Sequence, residues 1–163
     1  LSMIETAIKI TDGNISAAAI NEIINLGKEM LDKPVSVLPG VEDVLKSLQE
    51  KYRLVVATKG DLLDQERKLK KSNLSQYFHH VEIMTEKQES DYEKLIKHLD
   101  IKSEELLMIG NSLKSDVLPI LNLGGYGIHI PYHTTWALEA IDVKIENEKF
   151  HQLENISQLL ELV

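Results

Sequence analysis

Short apolar runs separated by helical patterns limit this chain to one class of fold. Arg53-Leu54-Val55-Val56-Ala57-Thr58, Val81-Glu82-Ile83-Met84, Leu106 to Ile109 and Tyr126 to Ile130 each have the look of a buried strand. Between them the pattern turns helical. A polar helix is expected from about Asp61 to Ser72. Another starts near Glu89 and carries Tyr92, Leu95, Ile96 and Leu99 on one face. A third is expected from Asp116 to Leu123, with Pro119 near its first turn and Gly124-Gly125 ending it. Asp142 to Ile145 reads as a fifth strand, and Asn155 to Val163 as a short helix. Strands alternating with helices of this length build βαβ units and a parallel sheet. The expected fold is therefore α/β, a Rossmann-like parallel sheet sandwiched by helices.

The first 32 residues carry no strand pattern. Ile4, Ala7 and Ile8 share one helical face, and after a turn at Asp12-Gly13-Asn14 the residues Ile20, Ile23, Ile24 and Leu26 continue an apolar stripe. Lys33-Pro34 ends that segment. Pro39-Gly40 then opens a helix with Val41, Val44, Leu45 and Leu48 at helical spacing. Two parts are expected, an all-helical piece over 1–36 and an α/β core over 37–163. The chain opens on Leu1 inside a helical pattern, which reads as the middle of a longer protein.

Bulk properties narrow the function classes. The net charge of −8 argues against a nucleic-acid or anionic-membrane surface, while leaving room for a local positive site and a small anionic substrate. There is no Cys, hence no disulfide, thiol chemistry or Cys-based metal site, which suits a cytoplasmic location. No apolar stretch approaches the ~20 residues of a membrane span.

In an open α/β sheet, chemistry collects at the carboxyl ends of the strands. The first strand ends in Thr58-Lys59-Gly60-Asp61, the second leads to Thr85-Glu86-Lys87, and the third ends in Gly110-Asn111-Ser112 with Asp116 beyond. If these strands are neighbours, their ends bring together a hydroxyl, an ammonium and a carboxylate. A strand-end hydroxyl can donate to a phosphoryl oxygen, and the Gly60 backbone can approach closely. Lys87 is a point charge suited to phosphate or to a carboxylate. Asp116 with neighbouring oxygens suits Mg²⁺. Each residue also has a plainer use. Thr58 can satisfy local backbone, Lys87 can sit in a solvated charged loop, and Asp116 can complement a helix dipole.

The ordered set resembles the haloacid dehalogenase superfamily over about residues 38 to 163. Leu38-Pro39-Gly40-Val41 is similar to the segment leading out of that family's cap. Leu54 to Thr58 resembles its second motif, Lys87 falls where its third motif places a lysine, and Leu107 to Asp116 resembles its fourth motif, the acidic metal loop. Residues 1–36 then resemble the back half of a small helical cap. The resemblance implies a phosphatase acting on a small phosphorylated metabolite through an aspartyl-phosphate, with Mg²⁺ as cofactor. It implies that Thr58 binds the transferring phosphoryl group, that Lys87 neutralises nucleophile and phosphate, and that Asp116 with Asn111 holds the metal. Gly60 and Lys59 stand with Thr58 as substrate-binding candidates; Lys59 replaces the Asn that often follows the Thr in the family, and either adds a positive charge for substrate or points to solvent.

Two departures stand out. The family's nucleophile leads an Asp-x-Asp motif on its first strand, and no such pair occurs in these 163 residues. That strand and the front of the cap are expected upstream of Leu1. An unpaired sheet edge would then favour self-association. Asn111 also stands where the family commonly has an acid, as in the dehalogenase branch, which needs no metal. Two alternatives therefore accompany the phosphatase reading: a 2-haloacid dehalogenase, and an inactive fragment or non-catalytic binding module.

Overall fold

The computed structural model of the chain describes residues 2–133, 141 and 144–163. The chain divides into two compact units, Leu1–Ser36 and Val37–Val163.

The first unit consists of α1 (Ser2–Ile10) and α2 (Ala17–Asp32). Asp12 and Gly13 turn the chain between them at positive φ, 48° and 81°. Ser16 caps α2 by accepting a hydrogen bond from the Ala19 amide at 3.1 Å. The apolar stripe is narrower than the sequence suggests. Ile20, Ile23 and Gly27 are half-buried, whereas Ile24 and Leu26 face solvent. At about 100° per residue, Leu26 falls roughly 60° beyond Ile23 and 120° from Ile20, past the edge of the half-buried stripe.

The second unit is the α/β core. Its strands are β1 (Val55–Lys59), β2 (His80–Met84), β3 (Leu107–Gly110), β4 (Tyr126–His129) and β5 (Phe150–Gln152). Its helices are α3 (Val41–Leu48), α4 (Leu62–Lys71), α5 (Glu89–Leu99) and α6 (Leu118–Asn122), with a 3₁₀ segment at Ile156–Glu161. All the described pairings are parallel. β1 pairs with β2, with Thr58 opposite Ile83, and β3-β4-β5 form a second group, with Gly110 opposite His129. The strands follow the apolar runs because helices cover both sheet faces. On one face Val44 and Leu48 of α3 pack with Ile128 and Leu159, joined by Leu54, Leu107 and Ile109. On the other, Tyr92 and Leu95 of α5 pack with Met84 and Ile120, joined by Val55, Ala57 and Met108. Alternate residues of β3 therefore feed opposite layers, as the pleat demands. The result is the expected three-layer α/β sandwich.

Three expectations need correction. The fifth strand forms at Phe150–Gln152. Of the segment read as that strand, Asp142 and Val143 lie outside the described residues, while Lys144 and Ile145 are irregular. The helix expected from Asp116 starts earlier, as a wide π turn at Leu113–Val117 that runs into α6. Finally, β1 and β3 are not paired neighbours. They belong to separate sheets. A cavity of about 730 Å³ is lined by side chains of both strands, by Val44 and Leu48 from one helical layer and by Tyr92 and Leu95 from the other. Trp136, which from the sequence could sit on a lip of the site or in the core, lies outside the described residues.

Candidate active site

The carboxyl ends of β1, β2 and β3 carry the candidate residues. Thr58 is the penultimate residue of β1, and its hydroxyl donates to the Gln65 carboxamide oxygen at 3.0 Å. Gln65 comes from the first turn of α4, which Asp61 starts by accepting a hydrogen bond from the Asp64 amide at 3.0 Å. Gly60 links strand to helix at φ 139°, and a Cβ there would stand 3.0 Å from the Gln65 Nε2. The positive φ favours glycine here, and any Cβ would also push the Gln65 side chain aside. Gln65 therefore folds back over the strand end. Lys59 pairs with Glu86 at 3.6 Å in a partly solvated contact, worth at most about 1 kcal/mol.

Lys87 lies three residues beyond β2 and points inward. Its Nζ donates to Asp116 Oδ1 at 2.7 Å, and the two side chains are only 13% and 6% exposed. The other carboxylate oxygen, Oδ2, accepts from the Ser112 amide at 3.0 Å. The local fold explains how Asp116 reaches this position. Ser112 caps the turn, its hydroxyl accepting from the Ser115 amide at 3.0 Å. The π turn that follows brings the Asp116 side chain back over Gly110, where any Cβ would overlap the carboxylate. The turn is also held from α5, since the buried Tyr92 hydroxyl donates to the Ser115 carbonyl at 2.9 Å. Burial pushes the Tyr92 phenol pKa well up, and the negative charges of Asp116 and Asp91 push it further.

The structure thus brings Lys87 and Asp116 into direct contact, with Thr58 and Gly60 at the end of the strand paired to β2. Asn111 is exposed beside them in sequence, and its backbone carbonyl accepts from His129 Nε2 at 3.1 Å. That bond gives His129 a backbone partner. The Gln65, Ser112 and Tyr92 contacts escape a reading of the sequence. Tyr92 has the helical spacing of a core residue, and nothing in that spacing reveals its hydroxyl's partner. Gln65, four residues after a capping Asp61, carries a faint signal, because helix phase turns it back toward the strand.

A buried ammonium–carboxylate pair beyond β2, with a hydroxyl and a closely approachable glycine backbone at the end of the strand paired to it, can bind an anion and hold a second carboxylate ionised.

Comparison with known proteins bears on the family and the fold. The family model described as haloacid dehalogenase-like hydrolase matches residues 7–124. No curated protein sequence matches. Among solved structures, a haloacid dehalogenase-like family hydrolase from Xanthomonas campestris is 35% identical with a TM-score of 0.85, over 99% of this chain and 64% of that one. A HAD phosphatase from Thermococcus onnurineus is 20% identical with a TM-score of 0.68, over 95% of this chain and 67% of that one. A 2-haloacid dehalogenase from Pseudomonas syringae pv. Tomato is 16% identical with a TM-score of 0.66, over 93% and 64%. The latter two show a common fold. The chain spans 64% of the length of the Xanthomonas protein.

Proposed function

This chain belongs to the haloacid dehalogenase-like hydrolases, and on that footing we propose that it supplies most of the site of a phosphatase for small phosphorylated metabolites. The buried Lys87–Asp116 pair at the strand ends carries the reading. The nucleophile is an Asp carried on a strand outside these residues, upstream of Leu1. The apolar cavity flanked by β1 and β3 supports this, because a strand filling it would pair with both and bring its carboxyl end beside Thr58 and Lys87.

In the reaction, a carboxylate oxygen of that Asp attacks phosphorus and the ester P–O bond breaks. The leaving oxygen takes a proton from solvent and departs as an alcohol. Water then attacks phosphorus of the aspartyl-phosphate, releasing inorganic phosphate and restoring the carboxylate. Thr58 donates its hydroxyl to a phosphoryl oxygen once Gln65 releases it, and the Gly60 backbone lets the phosphoryl group come close. Lys87 offsets the charge of nucleophile and phosphate. Its pairing with Asp116 fixes where the ammonium sits.

The residues fit Mg²⁺. Lys87 and the Ser112 amide each occupy one lone pair of the Asp116 carboxylate, which leaves acceptor capacity on both oxygens. Asn111, five residues earlier in the same loop, would add a carboxamide oxygen to give an oxygen-only, singly charged donor set, suited to an ion that keeps several waters. Bound there, Mg²⁺ would supply positive charge to the phosphoryl oxygens.

The test is phosphate release from p-nitrophenyl phosphate and a panel of small phosphate esters by the full polypeptide. Mg²⁺-dependent turnover that Lys87→Ala abolishes is expected. No release across the panel overturns the reading. Asn111, in place of an acid, favours a second reading as a 2-haloacid dehalogenase, which would release halide from a 2-haloacid without metal. A protein that does neither would be a non-catalytic binding module.

A further inference from the structure

We propose that His80, Glu82 and His98 form a binding site for a borderline divalent cation, Zn²⁺ or a similar transition metal, at the end of the sheet opposite Lys87 and Asp116. His80 is the first residue of β2, so it lies at the strand's amino end, whereas the hydrolytic residues lie beyond its carboxyl end.

The pleat and the helix bring the three together. His80, Glu82 and Met84 share one face of β2, and Met84 packs with Tyr92 and Leu95 of α5. His98 lies in the last turn of α5, one turn beyond Leu95 on the same side. His80 Nε2 is 2.9 Å from Glu82 Oε2, and His98 Nδ1 is 3.7 Å from that same oxygen. The two rings meet edge to face, with centroids 4.7 Å apart at 70°. All three potential ligand atoms lie within 4.8 Å of one another.

These spacings are close to what a metal needs. Bonds of about 2.0–2.1 Å in tetrahedral geometry put neighbouring ligand atoms roughly 3.4 Å apart. The two measured separations from Glu82 fall on either side of that value. The remaining adjustment is a small side-chain rotation, and His98 is free to make it because its side chain is 63% exposed. His80 and Glu82 form a hydrogen-bonded pair, and His98 brings a second imidazole toward the same carboxylate oxygen, which completes a three-ligand set.

The donor set selects the ion. Two imidazole nitrogens and one carboxylate oxygen suit Zn²⁺, Co²⁺, Ni²⁺ or Cu²⁺, and not Mg²⁺, which prefers oxygen throughout. A fourth position would face solvent and take water. The bound ion would clip the amino end of β2 to the carboxyl end of α5, the helix whose Tyr92 holds the Ser115 carbonyl next to Asp116.

The full polypeptide, stripped with chelator and kept in excess Mg²⁺, is titrated with Co²⁺ and then Zn²⁺. One Co²⁺ per chain is expected, with the visible absorption of a four- or five-coordinate ion, and Zn²⁺ displaces it. Zn²⁺ raises the melting temperature of the parent protein. His98→Ala and Glu82→Gln each weaken binding about 10- to 100-fold and remove the stabilisation. Asp116→Asn leaves Co²⁺ binding unchanged, which separates this site from the hydrolytic one. Binding of undiminished strength in His98→Ala, or none up to millimolar metal, overturns the proposal. Both His98 and Glu82 are solvent-accessible, so their variants test binding in a folded protein.

Discussion

Lys87 and Asp116 stand 29 residues apart in sequence and 2.7 Å apart in space, with hardly any water on either. A pair so placed cannot be halved cheaply. Removing one partner strands a charge in a low-dielectric pocket, and a buried charge left alone costs about 3–5 kcal/mol.

Lys87→Met should therefore lower unfolding free energy by several kcal/mol in urea titrations. The double variant Lys87→Met/Asp116→Asn should lose less than the sum of the single changes, since the two residues share one interaction. Phosphate release should fall by orders of magnitude in all three. Additive stabilities would show the pair to be uncoupled.

Gly110→Ala should act as an active-site mutation although it adds only a methyl group. The new Cβ would occupy the place of the Asp116 carboxylate and force the π turn to shift. Overpacking of this kind costs about 1–3 kcal/mol. Phosphate release should fall more than stability does, as measured by kcat beside the urea midpoint. Unchanged kcat would mean that Asp116 has no set position to keep.

Thr58→Val removes a donor and keeps the shape. Loss of one such donor to developing charge is worth about 10²–10³ in kcat. Thr58→Ser should retain most activity. Gln65→Ala, which frees the Thr58 hydroxyl from its 3.0 Å bond, should lower KM for the phosphate ester. Steady-state kinetics on the three variants checks the set, and full activity in Thr58→Val would remove the assignment.

Tyr92 sets a pH dependence of stability whose sign is fixed. Its folded pKa lies above the ordinary 10.0, chiefly through burial. Its contribution is constant below about pH 10, because the phenol is protonated in both states there. Above that the unfolded chain loses its proton first, so stability falls with rising pH by up to about 1.4 kcal/mol per unit. Tyr92→Phe should cost about 0.5–1.5 kcal/mol at neutral pH, through the lost bond to Ser115. The deficit should shrink between about pH 10 and 12, where the parent protein loses stability. Urea unfolding of both proteins across that range reads the difference, and parallel curves would contradict it.

The strands were legible in the sequence wherever burial on both faces demands a continuous apolar run, as at Val55 to Thr58 and Leu107 to Ile109. β5 was not, since Phe150, His151 and Gln152 sit at a sheet edge where exposed polar side chains are tolerated. Thr58, Lys87 and Asp116 could be picked out because each lies at or beyond the carboxyl end of a strand. What they touch could not. The Asp116 partners include a backbone amide and the empty space over Gly110, and neither leaves a trace in residue type. The separation of β1 from β3 was equally hidden, because strand pairing across a parallel sheet connects segments far apart in the chain.

The overlap between a Cβ at Gly110 and the Asp116 carboxylate also bears on how such a loop can change over generations. The two positions behave as one inherited unit. No side chain can be accepted at Gly110 while Asp116 keeps its place, and once Asp116 has moved, little would select for restoring the glycine. Single-step routes out of this loop therefore pass through a defective intermediate.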